Sequence, residues 1–334
     1  MNRAANAAAV PAPTGDAAPF HASLPGYRPT PVRTLPALAA ELGVAAVGVK
    51  DESDRLGLPA FKVLGASWAI ERTVRERPDV DTLVAASAGN HGRAVAHVAA
   101  ARGLRCRVFL PARSIAARRE AIAGEGAEVT VVDGDYEDAV ACARDATREP
   151  GAAEIADVGD SDAARWVIDG YATLFAEVAR QGDYDVIVVP VGVGSLAAAA
   201  ARFGAHASAT VIGIEPVTAA CLTASLHAGR PTRVPTPGTT MAGLDCAEVS
   251  IAAWPVLRDG VHGTVTVDDT EVGAAVRELA GAGLAIGASG AATLAGLRRL
   301  VTDPACAPLR DAVAIGRATR VLLLATEGRT DPTR

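Results

Sequence analysis

Lysine is nearly absent from this 334-residue chain: of 32 Lys and Arg residues only Lys50 and Lys62 are lysines, and all the others are arginines. A guanidinium serves a solvated surface as well as an ammonium does, but only the amine can lose its proton near neutrality and act as a nucleophile. The two retained lysines are therefore the first candidates for chemistry. Basic clusters are also missing, with no run longer than Arg118-Arg119 or Arg298-Arg299 and a net charge of -6, which excludes an electrostatic footprint for nucleic acid. No long apolar run survives either, because Val186 to Ala201 is broken by Pro190, Gly192 and Gly194, so no membrane span is expected. The five cysteines are odd in number and widely spaced, without a C-x-x-C pair, which fits reduced thiols in the cytoplasm rather than a disulfide framework or a metal site. Residues 1–19 hold Arg3 and then small residues and prolines without the apolar core of a secretory signal, and they read as a disordered lead-in.

What is present is alternation. Short β-branched runs at Thr82-Ala86, Arg105-Leu110, Glu128-Val132, Asp185-Pro190, Thr210-Ile214, Gly263-Val267 and Arg320-Ala325 are separated by Ala-rich helical patterns. The helices are expected at His91-Arg102, Ser114-Gly124, Tyr136-Thr147, Ala164-Gln181, Ser195-Phe203, Thr270-Gly281 and Ala291-Val301. Strands that read as continuous apolar runs are covered on both faces, so the pattern predicts a doubly wound, parallel α/β protein. In such a sheet the ligand sits beyond the carboxyl ends of the strands, which directs attention to the loops that follow them.

Three such loops carry unusual residues. Pro190-Val191-Gly192-Val193-Gly194-Ser195 joins a strand to a helix, where backbone N–H groups and the helix dipole favour an anion; a plain tight turn is the alternative. Ala197 occupies the position where a dinucleotide fingerprint needs its third glycine, which counts against a nicotinamide cofactor. Ser87-Ala88-Gly89-Asn90-His91-Gly92 also opens a helix that Asn90 could cap, and His91, without an acidic or cysteine neighbour, reads as structural. Lys62 is flanked by Phe61, Val63 and Leu64, a setting that predicts a desolvated amine with a lowered pKa. Lys50 follows Val47-Gly48-Val49 and precedes Asp51 and Glu52, so it reads as a strand end with local ion pairing. One small molecule unites an amine, a phosphate nest and polar ring contacts, the last supplied in part by Thr326 after the final strand. It is pyridoxal phosphate.

At this level the chain resembles the fold-type II pyridoxal-phosphate lyases (tryptophan synthase β-like), and within them the diaminopropionate ammonia-lyase branch. The resemblance runs from Phe20 to Asp331 and includes Ser23 to Pro31, Val49 to Lys62, Gly89 to Arg93, Gly170-Tyr171-Ala172-Thr173-Leu174, Met241-Ala242-Gly243-Leu244 and Thr326-Glu327-Gly328. It implies two parallel-sheet α/β domains, a large one from residues 20–81 and 173–334 and a small one from 82–172. It implies that Lys62 forms the Schiff base, that Asn90 bonds the ring hydroxyl, and that Gly192, Val193, Gly194, Ser195 and Leu196 hold the phosphate. Thr326 would face the pyridine nitrogen, Asp157 would act in catalysis beside the substrate, and Ser87 and Ala88 would contact the substrate. The implied activity is ammonia elimination from L-2,3-diaminopropionate in a cytoplasmic homodimer whose partner is a small amino acid.

The chain departs from the branch at Ala88 and Ala288, where acids are usual. An alanine at 88 cannot move a proton, which implies selectivity for the L-isomer. A serine or threonine dehydratase, and a non-catalytic scaffold that binds the cofactor or an amino acid, remain the alternatives.

Overall fold

The computed structural model describes residues 1–2 and 5–329. Among the described residues ten strands form two sheets: β1 (Val32–Thr34), β2 (Ala46–Asp51), β3 (Thr82–Ala86), β4 (Arg105–Pro111), β5 (Glu128–Val132), β6 (Ala152–Glu154), β7 (Val186–Pro190), β8 (Thr210–Pro216), β9 (Gly263–Val267) and β10 (Arg320–Ala325). The larger sheet has the order β1-β2-β10-β7-β8-β9 and the smaller β5-β4-β3-β6. All pairings are parallel except β1 on β2, an antiparallel edge that departs from the wholly parallel expectation. Strands β2, β7, β8 and β10 are almost continuously buried, because helices cover both faces of the sheet.

The four strands of the smaller sheet fall within residues 82–154. One apolar cluster joins Leu83, Val108 and Leu110 of that sheet to Ile187, Val189, Leu322 and Leu324 of the larger. Between the sheets lies the helix Lys62–Glu76, which packs on the helices Asn90–Ala101 and Asp162–Gly170. Lys62 is its first residue; its amine reaches Asp157 beyond β6 of the smaller sheet, while Ala60 two residues earlier bridges Glu327 beyond β10 of the larger, so the amine stands at the cleft between the two sheets.

Several expectations are corrected. The helix expected over Ala164-Gln181 is two helices, Asp162–Gly170 and Ala172–Val178, with Tyr171 between them turned fully into the core and its ring centroid 4.7 Å from that of Phe61. Strand β6 lies between the helices expected at Tyr136-Thr147 and Ala164-Gln181, where no strand is expected; three residues are too few to show a period. The lead-in is not free: Asn6 N–H donates to the Asp259 carbonyl, Arg202 donates to the Pro11 carbonyl, and Thr14 is held by the buried Asp169. Those partners lie far along the chain, so composition alone could not reveal the tether. Arg3 and Ala4 of the lead-in, and residues 330–334 at the end of the large-domain segment and of the resemblance, lie outside the described residues.

Lys50 is wholly buried, and its ion pair is not local. Its ammonium donates to Glu177 Oε2 at 2.6 Å, to the Thr30 carbonyl at 2.7 Å and to Gln181 Oε1 at 3.2 Å. Arg55 completes the cluster by bonding Glu52 and Glu177. All three N–H bonds of the Lys50 ammonium are used, so it offers no free amine. Among the described residues no helix is long and apolar enough to cross a membrane.

Candidate active site

Lys62 Nζ donates to Asp157 Oδ2 at 2.8 Å, joining the start of its helix to the loop that follows β6. Burial alone would push the amine down, but the Asp157 carboxylate at hydrogen-bond distance outweighs it, and the ammonium is held above its ordinary range. This reverses the lowered pKa expected from the apolar neighbours Phe61, Val63 and Leu64. The amine also lies 5.5 Å from the Phe61 ring centroid and 5.9 Å from that of Tyr171, where the ring faces favour the cation.

Burial opposes ionisation of Asp157, yet the Lys62 ammonium bonded to it keeps it below the usual carboxylate range. His91 stands behind it, with Nδ1 3.8 Å from Asp157 Oδ2. The Ile155 carbonyl accepts from His91 Nε2 at 2.7 Å, and a carbonyl can only accept, so Nε2 carries the proton. Nδ1 is then a bare, buried acceptor without a hydrogen-bond partner among the described residues. Burial lowers the pKa of His91 and keeps the ring neutral, which leaves Lys62 as the cation that Asp157 faces. His91 thus belongs to the site rather than to a remote part of the core.

The turn before the helix Ser195–Ala207 is shaped by close approach. Gly194 has φ +93°, and a Cβ at Gly192 would lie 2.6 Å from the Gly243 carbonyl oxygen and 3.0 Å from Cys246 Sγ. Among the described residues no acceptor takes the N–H of Gly194, Ser195 or Leu196. Three consecutive free donors at the start of a 13-residue helix are the cradle a phosphate needs, so these residues fit the group. The Ser195 hydroxyl donates to the Asp157 carbonyl at 3.1 Å and ties this cradle to the Lys62–Asp157 pair. Val193 is held by the bond from Ser250 N–H to its carbonyl.

Thr326 is buried after β10, and its carbonyl accepts the Phe61 N–H at 3.3 Å, which places it beside the residue preceding Lys62. Its hydroxyl has no hydrogen-bond partner among the described residues. Asn90 is the first residue of its helix rather than a cap, and its amide donates to Glu327 Oε2 at 2.8 Å. The expected capping fails because the helix starts one residue earlier, with Gly89 at the cap. Ser87 and Ala88 are half-buried in the same loop, where the Ser87 hydroxyl accepts the Gly89 N–H at 3.3 Å. Contacts therefore connect Lys62, Asp157, Ser195 and Thr326, while Asn90 enters through Glu327. The motif-by-motif reading missed Glu327, His91 and Tyr171 as site residues. Glu327 and Tyr171 stood inside quoted motifs, but only their long-range partners show what they do.

A lysine and carboxylate at a cleft, a phosphate cradle and free polar groups around them define a fold-type II pyridoxal-phosphate enzyme. The family described as Pyridoxal-phosphate dependent enzyme matches residues 23–315, and the chain belongs to it. It is 31% identical to diaminopropionate ammonia-lyase of Salmonella typhimurium over 94% of this chain and 88% of that protein. It is 29% identical to the biosynthetic L-threonine dehydratase of Corynebacterium glutamicum over 83% of this chain and 65% of that one. Among solved structures it superposes on Escherichia coli diaminopropionate ammonia lyase in complex with an aminoacrylate-PLP azomethine reaction intermediate. That match has a TM-score of 0.89 and 29% identity, and it covers 99% of this chain and 93% of that one.

Proposed function

We propose that this enzyme eliminates ammonia from L-2,3-diaminopropionate, the released enamine hydrolysing to pyruvate and a second ammonia. The observation that carries this is the 2.8 Å contact of Lys62 Nζ with Asp157, set beside a phosphate cradle that the Ser195 hydroxyl ties to the same aspartate. Lys62 is the amine that holds the cofactor; Gly192 to Leu196 hold its phosphate, Asn90 its ring hydroxyl and Thr326 its ring nitrogen. When bound, pyridoxal phosphate supplies an aldehyde for the substrate amine and a sink for the electron pair left by the α-proton.

The residues of the chain then manage protons. Lys62 Nζ, while neutral, takes the Cα proton, and Asp157 stabilises the ammonium that results. A departing amine must leave as ammonia, and a second ammonium on the substrate already carries the proton it needs. Asp157 further offers a carboxylate to the substrate's second ammonium, while Ser87 and Ala88 line the substrate side. Thr326, a hydroxyl, does not hold the ring nitrogen protonated as a carboxylate would, which favours elimination over racemisation. The same reading makes the protein a cytoplasmic homodimer.

A hydroxyl-eliminating serine or threonine dehydratase is the second reading, favoured by the likeness to the threonine dehydratase. Release of keto acid from L-2,3-diaminopropionate, L-serine and L-threonine, with Lys62→Ala as the blank, tests the two. Preference for the hydroxy amino acids supports the dehydratase, and no keto acid from any of them contradicts both.

A further inference from the structure

Glu327 follows Thr326 at the carboxyl end of β10, in the larger sheet, and touches three elements of the cleft. Its backbone forms an isolated bridge with Ala60, two residues before Lys62. Its carbonyl accepts the Gly287 N–H at 3.0 Å, and Oε1 accepts the Ser289 N–H at 3.3 Å, at the start of the helix Ala288–Thr302. Its other oxygen, Oε2, accepts from Asn90 Nδ2 at 2.8 Å, across 237 positions, from a residue that follows β3 of the smaller sheet. Among the described residues no Lys, Arg or His pairs with this half-buried carboxylate. Its charge is met instead by the first turn of a helix and by one amide.

We infer that Glu327 is a positioning residue for the cofactor: it fixes which end of the Asn90 amide faces the ring hydroxyl of pyridoxal phosphate. This rests on the reading of Asn90 given under the proposed function. A carboxylate can only accept, so the end of Asn90 that meets it must be the NH₂ group. That group has two hydrogens. One is held by Glu327, and the plane and sense of the amide are then set, leaving the second hydrogen for an acceptor in the cleft. An ionised ring hydroxyl is such an acceptor. Without the carboxylate the amide is free to turn over and present Oδ1 to that oxygen, a contact between two acceptors. Glu327 is itself held at both its carbonyl and its second carboxylate oxygen, so it does not swing with Asn90. The same residue thereby links the Lys62 loop, the strand that carries Thr326 and the loop that carries Asn90.

The test uses full-length protein freed of cofactor: wild type, Glu327→Ala, Glu327→Gln, Asn90→Ala and the Glu327→Ala/Asn90→Ala double variant. Each is titrated with pyridoxal phosphate, read by the visible absorbance of the lysine-bound cofactor and by tryptophan fluorescence. Glu327→Ala is expected to raise Kd about tenfold, in line with loss of one hydrogen bond to a charged group. Glu327→Gln, whose amide oxygen still accepts, recovers most of the affinity. The double variant binds no worse than Asn90→Ala alone, because the glutamate acts through the asparagine. An unchanged Kd in Glu327→Ala, no effect of Asn90→Ala, or additive losses in the double variant each overturn the proposal. A helix-capping role alone would lower the thermal stability of cofactor-free Glu327→Ala and leave Kd unmoved, which also overturns it. Failure of the underlying cofactor reading is seen separately, as a wild type without the absorbance band, and it removes the proposal with it.

Discussion

The Lys62 ammonium and the Asp157 carboxylate meet at 2.8 Å although 95 positions separate them, and each sets the charge of the other. Lys62 starts a helix packed between the two sheets, and Asp157 follows β6 in the smaller one. The pair bridges the cleft, with neutral His91 behind the carboxylate and the Ser195 hydroxyl on its backbone. A lone buried amine would shed its proton. With a carboxylate at hydrogen-bond distance it keeps one, which suits a group that must receive the α-proton and hold it.

Replacing Asp157 with asparagine removes the charge and keeps the shape. Turnover of L-2,3-diaminopropionate should fall by about 10²-fold or more, since both the Lys62 ammonium and the substrate's second ammonium lose their counter-charge. Elimination from serine should fall less, since it loses the support of the Lys62 ammonium but needs no anchor for a second ammonium. Comparison of kcat for the two substrates checks this.

The two lysines should separate cleanly. Glu177→Ala leaves Lys50 and Arg55 buried without their shared counter-ion, and thermal or urea unfolding should show a loss of about 3–5 kcal/mol. Lys50→Met should lower stability while the protein still binds pyridoxal phosphate covalently. Lys62→Ala should abolish that attachment, with a smaller loss of stability in the cofactor-free protein than Glu177→Ala, because the Lys62–Asp157 pair is less buried than the Lys50–Glu177 pair.

The strands of both sheets were largely legible, because Leu83 to Ala85 or Val186 to Val189 form apolar runs that a buried parallel strand requires. Three-residue strands such as Val32–Thr34 and Ala152–Glu154 carry too little pattern to be seen. The nest at Gly192 to Leu196 and the amine at Lys62 were legible as types of group. Their electrostatics were not: the partner that raises the pKa of Lys62 is supplied by a distant loop, and sequence neighbours pointed the other way. Lys50 shows the same limit. Its adjacent acids suggested local pairing, whereas folding turns it inward to Glu177.

Acid should destabilise the fold through His21. This residue is fully buried, and burial lowers its pKa to about 4, against the opposing hydrogen bond from Nε2 to the Leu64 carbonyl. Its folded pKa lies below the unfolded value of 6.5, so the neutral ring's contribution is complete above that pH and is lost as pH falls through 6.5 toward 4. The full effect is roughly 3 kcal/mol. The slope of unfolding free energy against pH between about 6.5 and 4 should flatten in His21→Gln, even though that variant starts from lower stability.

Ala88 should make the enzyme selective for one enantiomer. No carboxylate at 88 serves the opposite face of the substrate, so kcat/KM for D-2,3-diaminopropionate should fall at least about 10²-fold below that for the L-isomer. Ala88→Asp should raise the D-isomer rate more than the L-isomer rate. Equal rates on the two isomers in the wild type would contradict this assignment.

The central claim is that one of only two lysines carries both the cofactor and the chemistry. The most direct measurement is pyruvate release from L-2,3-diaminopropionate by the pyridoxal-phosphate-loaded protein, run beside Lys62→Ala and Lys50→Met. The account predicts release by wild type and by folded Lys50→Met, and none by Lys62→Ala, which also lacks the absorbance of the bound cofactor. Release by Lys62→Ala at the wild-type rate, or none by the loaded wild type, would contradict it.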